Sequence, residues 1–310
     1  MNFICYTKRI NFKRITKFIA VLSLILFSCN KKEIFSPDRY IETESIQLGA
    51  ADMEIYKRFT YSNKKQLTSV WLKNGNATLT FEYNKDKTIK KITSTEDKGV
   101  FYALLFYENK LVKRIEYYEN NQLARESIFS RKAKKNTINK IESYVYDGFA
   151  DKNEGALSDL LFEDAKKMPK SMRKMHKSGE KSLYAVQDIT YENDNISRVR
   201  LSYANQGNVS VFSTTSYTYD DKKNPFYGLP YAFLNLTGYS KNNEKYTRTS
   251  YENDEFKTMI TIDNSYSYEK KYPTHKTVVE SNTYITGKDG EGNYIWATDV
   301  QHSSYKYTYK

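Results

Sequence analysis

Tyrosine in this chain recurs with the period of a β-strand. Ser216-Tyr217-Thr218-Tyr219, Ser265-Tyr266-Ser267-Tyr268 and Ser304-Tyr305-Lys306-Tyr307-Thr308-Tyr309 alternate an aromatic with a polar residue, and Thr78-Leu79-Thr80-Phe81-Glu82-Tyr83 does the same with mixed apolar residues. Successive side chains of a strand point to opposite faces, so each segment is a strand with one aromatic face. The sequence holds 29 tyrosines against 12 glycines and 5 prolines, enough to supply such a face many times over.

A repeating unit joins these strands. A tyrosine closes one strand, a polar connector follows, and two apolar residues three apart open the next. In Tyr61-Ser-Asn-Lys-Lys-Gln-Leu67-Thr-Ser-Val70 and Tyr83-Asn-Lys-Asp-Lys-Thr-Ile89-Lys-Lys-Ile92 the connector is longer by one residue than in Tyr107-Glu-Asn-Lys-Leu-Val112-Lys-Arg-Ile115, Tyr191-Glu-Asn-Asp-Asn-Ile196-Ser-Arg-Val199 and Tyr251-Glu-Asn-Asp-Glu-Phe256-Lys-Thr-Met259. Asn and Asp tolerate left-handed backbone and bond to their own main chain, so the connectors read as turns and the units as antiparallel hairpins. Counted from Met53 to Lys310 they give about 14–16 strands, more than an open twisted sheet holds without curling. Closure also removes exposed edges. The expected fold is all-β: one up-and-down meander over 52–310 that closes into a barrel or a strongly curled sheet. One stretch departs from it. Leu157, Leu160, Leu161, Ala165 and Met168 fall at helical spacing and Pro169 follows, which predicts a short helix over 156–167.

The N-terminus reads separately. Lys8, Arg9, Lys13, Arg14 and Lys17 precede the apolar run 18–27 with no acid among them, the layout of a signal peptide. That run is shorter than the roughly 20 residues a spanning helix needs. Leu26-Phe27-Ser28-Cys29 resembles a lipobox, with cleavage between Ser28 and Cys29 and a lipid on Cys29. Phe27 is bulkier than the residue usual at that position. Cys29 is the only cysteine after the apolar run, so it has no disulfide partner there. Residues 1–28 are thus expected to be a signal peptide and 29–51 a lipidated tether. Removal of the first 28 residues takes away five basic side chains and no acid, leaving 282 residues with a formal charge of +7 in place of +12. The basic excess is spread along the chain and reads as a solvated exterior, and export argues against a nucleic-acid partner.

The Tyr-x-Tyr-Asp/Glu hairpins resemble the YD repeats of large secreted shell proteins, without their regular Gly-Arg-Leu element. More closely, Tyr217-Thr-Tyr-Asp-Asp-Lys-Lys-Asn224-Pro225-Phe226-Tyr227-Gly228 and Tyr266-Ser-Tyr-Glu-Lys-Lys-Tyr272-Pro273-Thr274 resemble segments of Bacteroides-type lipoproteins carrying a porin-like domain of unknown function. The resemblance implies a large barrel and a lipid anchor. It carries over no activity, cofactor or catalytic residue. Asn224-Pro225-Phe226 has a structural reading of its own: proline fixes the backbone and Phe226 re-enters the apolar face.

A membrane barrel would show the same alternation with its apolar face outward. Here that face is mostly tyrosine broken by serine and threonine, and a phenol in mid-bilayer needs a hydrogen-bond partner. The expectation is therefore a water-exposed barrel with aromatics inside, held at the outer membrane by Cys29. Packed tyrosines would fill it; a tyrosine-lined cavity would suit a glycan, an aromatic compound or a lipid. Candidate chemistry is sparse. His176, His275 and His302 stand far apart with no second zinc ligand, and no nucleophile elbow or phosphate loop occurs. Glu154, Asp159, Glu163 and Asp164 read as a solvated helix face rather than a glycosidase pair. Asp289-Gly-Glu291-Gly-Asn293 lacks the remaining features of a calcium loop and reads as a hairpin turn. Trp71 and Trp296 are the only tryptophans, and packing in the core is the expected role. No enzyme, metal or cofactor is expected, and the partners are a membrane through the anchor and a glycan, lipid or envelope protein.

Overall fold

The computed structural model describes residues 39–73, 76–96, 99–132, 137–146, 181–205, 208–229, 236–251 and 258–310. Sixteen antiparallel strands follow one another around a closed barrel: β1 (Ile41–Leu48), β2 (Glu54–Tyr61), β3 (Leu67–Leu72), β4 (Ala77–Tyr83), β5 (Ile89–Glu96), β6 (Gly99–Glu108), β7 (Leu111–Glu119), β8 (Gln122–Arg131), β9 (Ile138–Val145), β10 (Ser182–Glu192), β11 (Asn195–Asn205), β12 (Asn208–Lys223), β13 (Asn242–Tyr251), β14 (Met259–Glu269), β15 (Tyr272–Lys288) and β16 (Tyr294–Tyr309). Each strand pairs with its sequence neighbours, and β1 closes the ring against β16. The all-β meander expected from the sequence is thus the fold. Helical structure among the described residues is confined to 3-10 turns, at Asn76 and at Leu236–Tyr239; the helix expected over 156–167 lies outside them.

The barrel begins earlier than the tether boundary at residue 51 had placed it. Strand β1 runs from Ile41 to Leu48 and supplies the closing ladder. Its sequence hides it, because the inward position at residue 44 carries a glutamate where an aliphatic residue would complete the pattern.

One hairpin design is repeated around the end of the barrel where Tyr40 and Lys310 pair main chain to main chain, here the terminal end. At all eight junctions there, an extra residue bulges from the odd-numbered strand: Glu42, Thr68, Lys90, Lys113, Asn139, Ser197, Lys245 and Thr274 are each skipped by the ladder. The bulge explains the spacing of three. Two residues three apart on a regular strand face opposite ways, but one bulged residue between them returns both to the same face. Leu67 with Val70, Ile89 with Ile92, Val112 with Ile115, Ile138 with Ile141, and Ile196 with Val199 all point inward and are all buried.

The closing tyrosine of each preceding strand sits opposite the first residue of such a pair, as in Tyr61 opposite Leu67, Tyr83 opposite Ile89 and Tyr191 opposite Ile196. From there the hydroxyls of Tyr83 and Tyr309 reach main chain near the bulge of the previous hairpin. Tyr83 donates to the Leu67 carbonyl at 2.7 Å and Tyr309 to the Pro273 carbonyl at 2.7 Å. In β8 the position is held by Arg131, which donates to the Val112 carbonyl at 3.3 Å. A tyrosine thus fills the barrel wall with its ring and satisfies a buried acceptor with its tip.

The unit expected at Tyr251 is of a different kind. Tyr251 ends an odd-numbered strand at the opposite, distal end, Phe256 lies outside the described residues, and Met259 is paired with Ser250 on the outward face. Turn chemistry follows expectation elsewhere: Asn109-Lys110, Asn120-Asn121 and Asn193-Asp194 take two consecutive left-handed residues, the geometry of a two-residue type I′ hairpin.

The inward face forms one continuous core from Ile41 and Phe59 through Leu79, Ile92, Leu105 and Tyr117 to Leu201, Tyr203 and Phe212. A ring series Tyr184, Tyr203, Phe212 and Tyr251 has successive centroids 4.9–5.7 Å apart. Arg125 is also fully buried here, beside the Tyr184 ring. Phe226 enters the terminal end as expected, against Phe59 and Tyr307, with Leu229 buried next to it. The Asn224 side chain fixes this loop by accepting from the Phe226 amide at 2.9 Å and donating to the Ser240 carbonyl at 2.9 Å.

Outward positions are mostly polar, with apolar exceptions such as Trp71, Val100 and Phe106. The polar positions include the pairs Thr43–Thr308, Ser45–Lys306, Thr215–Thr249's neighbours Ser216–Arg248 and Thr214–Ser250, and Thr80–Thr93. Glu126, on this face, is enclosed by Lys181, Arg114 and the Tyr146 hydroxyl.

Candidate functional site

The repeated pair of inward residues is aliphatic in five hairpins and changes character in the other three. On β13 the two positions are Glu244 and Thr247, on β15 Pro273 and Lys276, and on β1 Ile41 and Glu44. These three odd-numbered strands follow one another around the ring, separated by β14 and β16, so the substitutions gather on one stretch of inner wall.

Register adds their neighbours. Tyr266 faces Lys276, Lys276 faces Tyr305, Glu44 faces Tyr307, and Lys57 faces Glu44. Lys57 Nζ lies 2.8 Å from Glu44 Oε2, with Glu44 almost fully buried. The Lys57 ammonium also stands 5.0 Å from the Tyr56 ring centre and 5.8 Å from that of Phe226. The Lys276 ammonium lies 5.3 Å from the Tyr305 ring centre and 6.0 Å from that of Tyr266. Cations over ring faces are attracted by the π quadrupole, more strongly where water is scarce.

Glu244 is held by its surroundings. The Thr247 hydroxyl donates to its carboxylate, while Tyr266 Oη at 2.8 Å and Asn264 Nδ2 at 3.0 Å donate to its carbonyl. Burial pushes the Lys276 ammonium below its ordinary value; Glu244 and Glu44 oppose that shift and Lys57 reinforces it. Burial pushes the phenols of Tyr266 and Tyr307 well above theirs, with Glu244 and Glu44 acting in the same direction. The wall is therefore a compact set of two cations, two carboxylates and neutral phenols.

Towards the distal end the same wall opens. Inward residues Ile260, Ile262, Glu280, Asn282, Ser303 and Tyr305 are half-buried, in contrast to the tightly buried wall across β3–β11. Among the described residues, Asn264 Oδ1 and Asn282 Oδ1 are buried without a hydrogen-bond partner. Buried acceptors of this kind are normally satisfied, which sets these two apart from the hydrogen-bonded groups around them.

The residues singled out in the sequence lie elsewhere. Ser28 and Cys29 are outside the described residues, as are His176, Glu154, Asp159, Glu163 and Asp164. His275 and His302 are exposed on the outward face. Trp71 is half-buried, and Trp296 is 50% exposed on the long β15–β16 hairpin, contrary to the core position expected of it. At the tip of that hairpin Asp289 accepts from the Glu291 and Asn293 amides at 2.9 and 2.8 Å, a self-satisfied turn as expected. Among the described residues no three His, Cys, Asp or Glu side chains gather to hold a metal ion. Glu44, Lys57, Glu244 and Lys276 went unnoticed in the sequence. Their signal was there to be read as a polar residue standing where the repeat otherwise places an aliphatic one.

The fold and this wall define the molecule as a closed sixteen-stranded antiparallel barrel with a polar, tyrosine-rich sector inside. No protein-family model and no curated protein matches the chain. Among solved structures it is similar to the complex TcdB2-TccC3-Cdc42, at 10% sequence identity and a TM-score of 0.30, over 83% of this chain and 13% of that one. A likeness that faint carries no argument about fold or function.

Proposed function

We propose that this protein is a non-enzymatic binding module of the cell envelope, lipidated at Cys29 and held at the outer membrane, that takes a glycan on the inner wall of β14–β16. The observation that carries the reading is the contrast within one barrel: a tightly buried wall of mainly aliphatic and aromatic side chains across β3–β11, and a half-open wall of tyrosine, lysine, glutamate and asparagine across β14–β16. Ring faces with hydroxyl tips suit the apolar faces of sugars, and Asn264, Asn282, Lys276 and Glu280 offer donors and acceptors for sugar hydroxyls. The polar exterior supports a barrel beside the membrane rather than within it, since a lipid-facing band needs apolar side chains.

Binding of the full chain in detergent to a glycan array tests this. The expected result is selective retention of one glycan class, weakened by Tyr305→Ala and by Asn282→Ala with unchanged circular dichroism. Retention of no glycan class, or retention unaffected by both substitutions, would sink the proposal.

A further inference from the structure

The barrel has no edge over most of its circumference, but one strand outruns its neighbours. The ladder between β1 and β16 ends at Leu48 opposite Ser303, and that between β14 and β15 ends at Met259 opposite Thr283. Strands β15 and β16 continue together past both points as a two-stranded arm, paired as far as Lys288 opposite Tyr294. Along the β1 side of that arm, β16 from Ile295 to Gln301 has no ladder partner among the described residues.

The direction of its main-chain groups follows from the last bond before the gap. The His302 carbonyl accepts from Gly49 at 3.0 Å, so residue 302 directs its main-chain groups toward that edge. In an antiparallel strand the N–H and C=O of one residue point to the same side and alternate along the chain. Val300, Thr298 and Trp296 therefore present donors and acceptors outward from the sheet edge. Exposed strand edges are usually blunted by lysine, proline or a bulge. Residues 295–301, Ile-Trp-Ala-Thr-Asp-Val-Gln, contain none of these guards on this strand, and Trp296 and Val300 are each about half exposed.

We infer that this edge pairs with the same edge of a second copy of this chain, joining two barrels through a β15–β16–β16–β15 ribbon. The sequence is self-complementary in the register a twofold axis through Thr298 imposes. Trp296 then faces Val300 of the other copy, Ile295 faces Gln301, and Ala297 faces Asp299. The single charge of the segment thus meets a methyl group, not its own like. Such pairing satisfies on the order of six main-chain hydrogen bonds and covers the exposed tryptophan. This association is independent of the glycan-binding wall, which lies inside the barrel.

Cysteine placed on the axis tests it in the full chain in membranes. Thr298→Cys is expected to give a reductant-sensitive dimer under mild oxidation, while Asp263→Cys, exposed on the outward face of β14, gives none. Equal cross-linking of the two variants, or none in either, overturns the inference. Light scattering in detergent supplies the second measurement. The native chain should form a concentration-dependent dimer that Thr298→Lys abolishes by opposing like charges across the axis, and a native chain that stays monomeric overturns it as well.

Discussion

The tyrosine that ends β4, like that ending β16, performs two tasks with one side chain. Its ring packs against the core, and its hydroxyl reaches main chain exposed by a bulge. Tyr83 and the Leu67 carbonyl are the clearest example. Tyr83→Phe keeps the ring and leaves that acceptor without its donor, so it should cost about 1–3 kcal/mol in a denaturant titration. No loss would show that water replaces the hydroxyl. The buried phenols also fix how the protein meets alkali. Burial holds Tyr219, Tyr266, Tyr307 and Tyr309 above the ordinary tyrosine value of 10.0. Above that value the unfolded chain gives up these protons while the folded chain keeps them, so stability falls as pH rises, by about 1.4 kcal/mol per pH unit for each such group. Lys276 runs the other way only below its ordinary value of 10.5, where the unfolded chain still holds its proton, so the alkaline fall is set by the tyrosines. Unfolding above pH 10 followed together by circular dichroism and tyrosinate absorbance should show the two signals changing at one midpoint. Tyrosinate forming well before the sheet is lost would contradict this burial.

At the level of the strand, the bulge is what makes a spacing of three compatible with a sheet. Thr68 can be deleted without turning Leu67 or Val70 to the other face, because the shortened segment alternates regularly. Deletion of Trp71 in the same strand makes Val70 and Leu72 adjacent and forces one of them outward. It should therefore destabilise the barrel by about 1.5–3 kcal/mol more than deletion of Thr68, the burial of one aliphatic side chain. Thermal melts of the two deletions measure the difference, and equal losses would mean that the bulge is needed for the bend itself. The same geometry explains why β1 was read as tether. Its bulge matches theirs, but Glu44 stands where β3, β5, β7, β9 and β11 carry their second aliphatic residue, so the apolar spacing of three that announces them is missing.

On the scale of the described barrel, the terminal end collects Tyr40 and Lys310, the eight repeated bulges and the loop carrying Phe226, while the distal end carries the half-open wall and the β15–β16 arm. If Cys29 is lipidated as proposed, the described chain joins the barrel from that side at Tyr40, at the terminal end. Cys29→Ser should release the protein from the membrane fraction on cell fractionation with its sheet signal unchanged. Persistence of the variant in the membrane would mean that the barrel itself contacts lipid.

Much of this was legible in the residues. Period-two tyrosine segments, the Tyr-connector-apolar unit and Asn-rich turns specify antiparallel hairpins, because pleat and turn geometry are local properties of a few consecutive residues. Their number forces curvature, so the barrel follows from the sequence as well. The site does not. Glu44, Lys57, Glu244 and Lys276 are each unremarkable lysines or glutamates in a chain full of both, and only ring closure of β1 on β16 brings Glu44 to Tyr307 and to the sector of Lys276. Which face a charged residue takes is decided by bulges that shift register by one, and a shift of one residue is invisible to composition. The sequence by itself determined strands, turns and a closed sheet; tertiary structure alone decided which of its many charges are turned inward, since that depends on pairings between residues far apart in the chain.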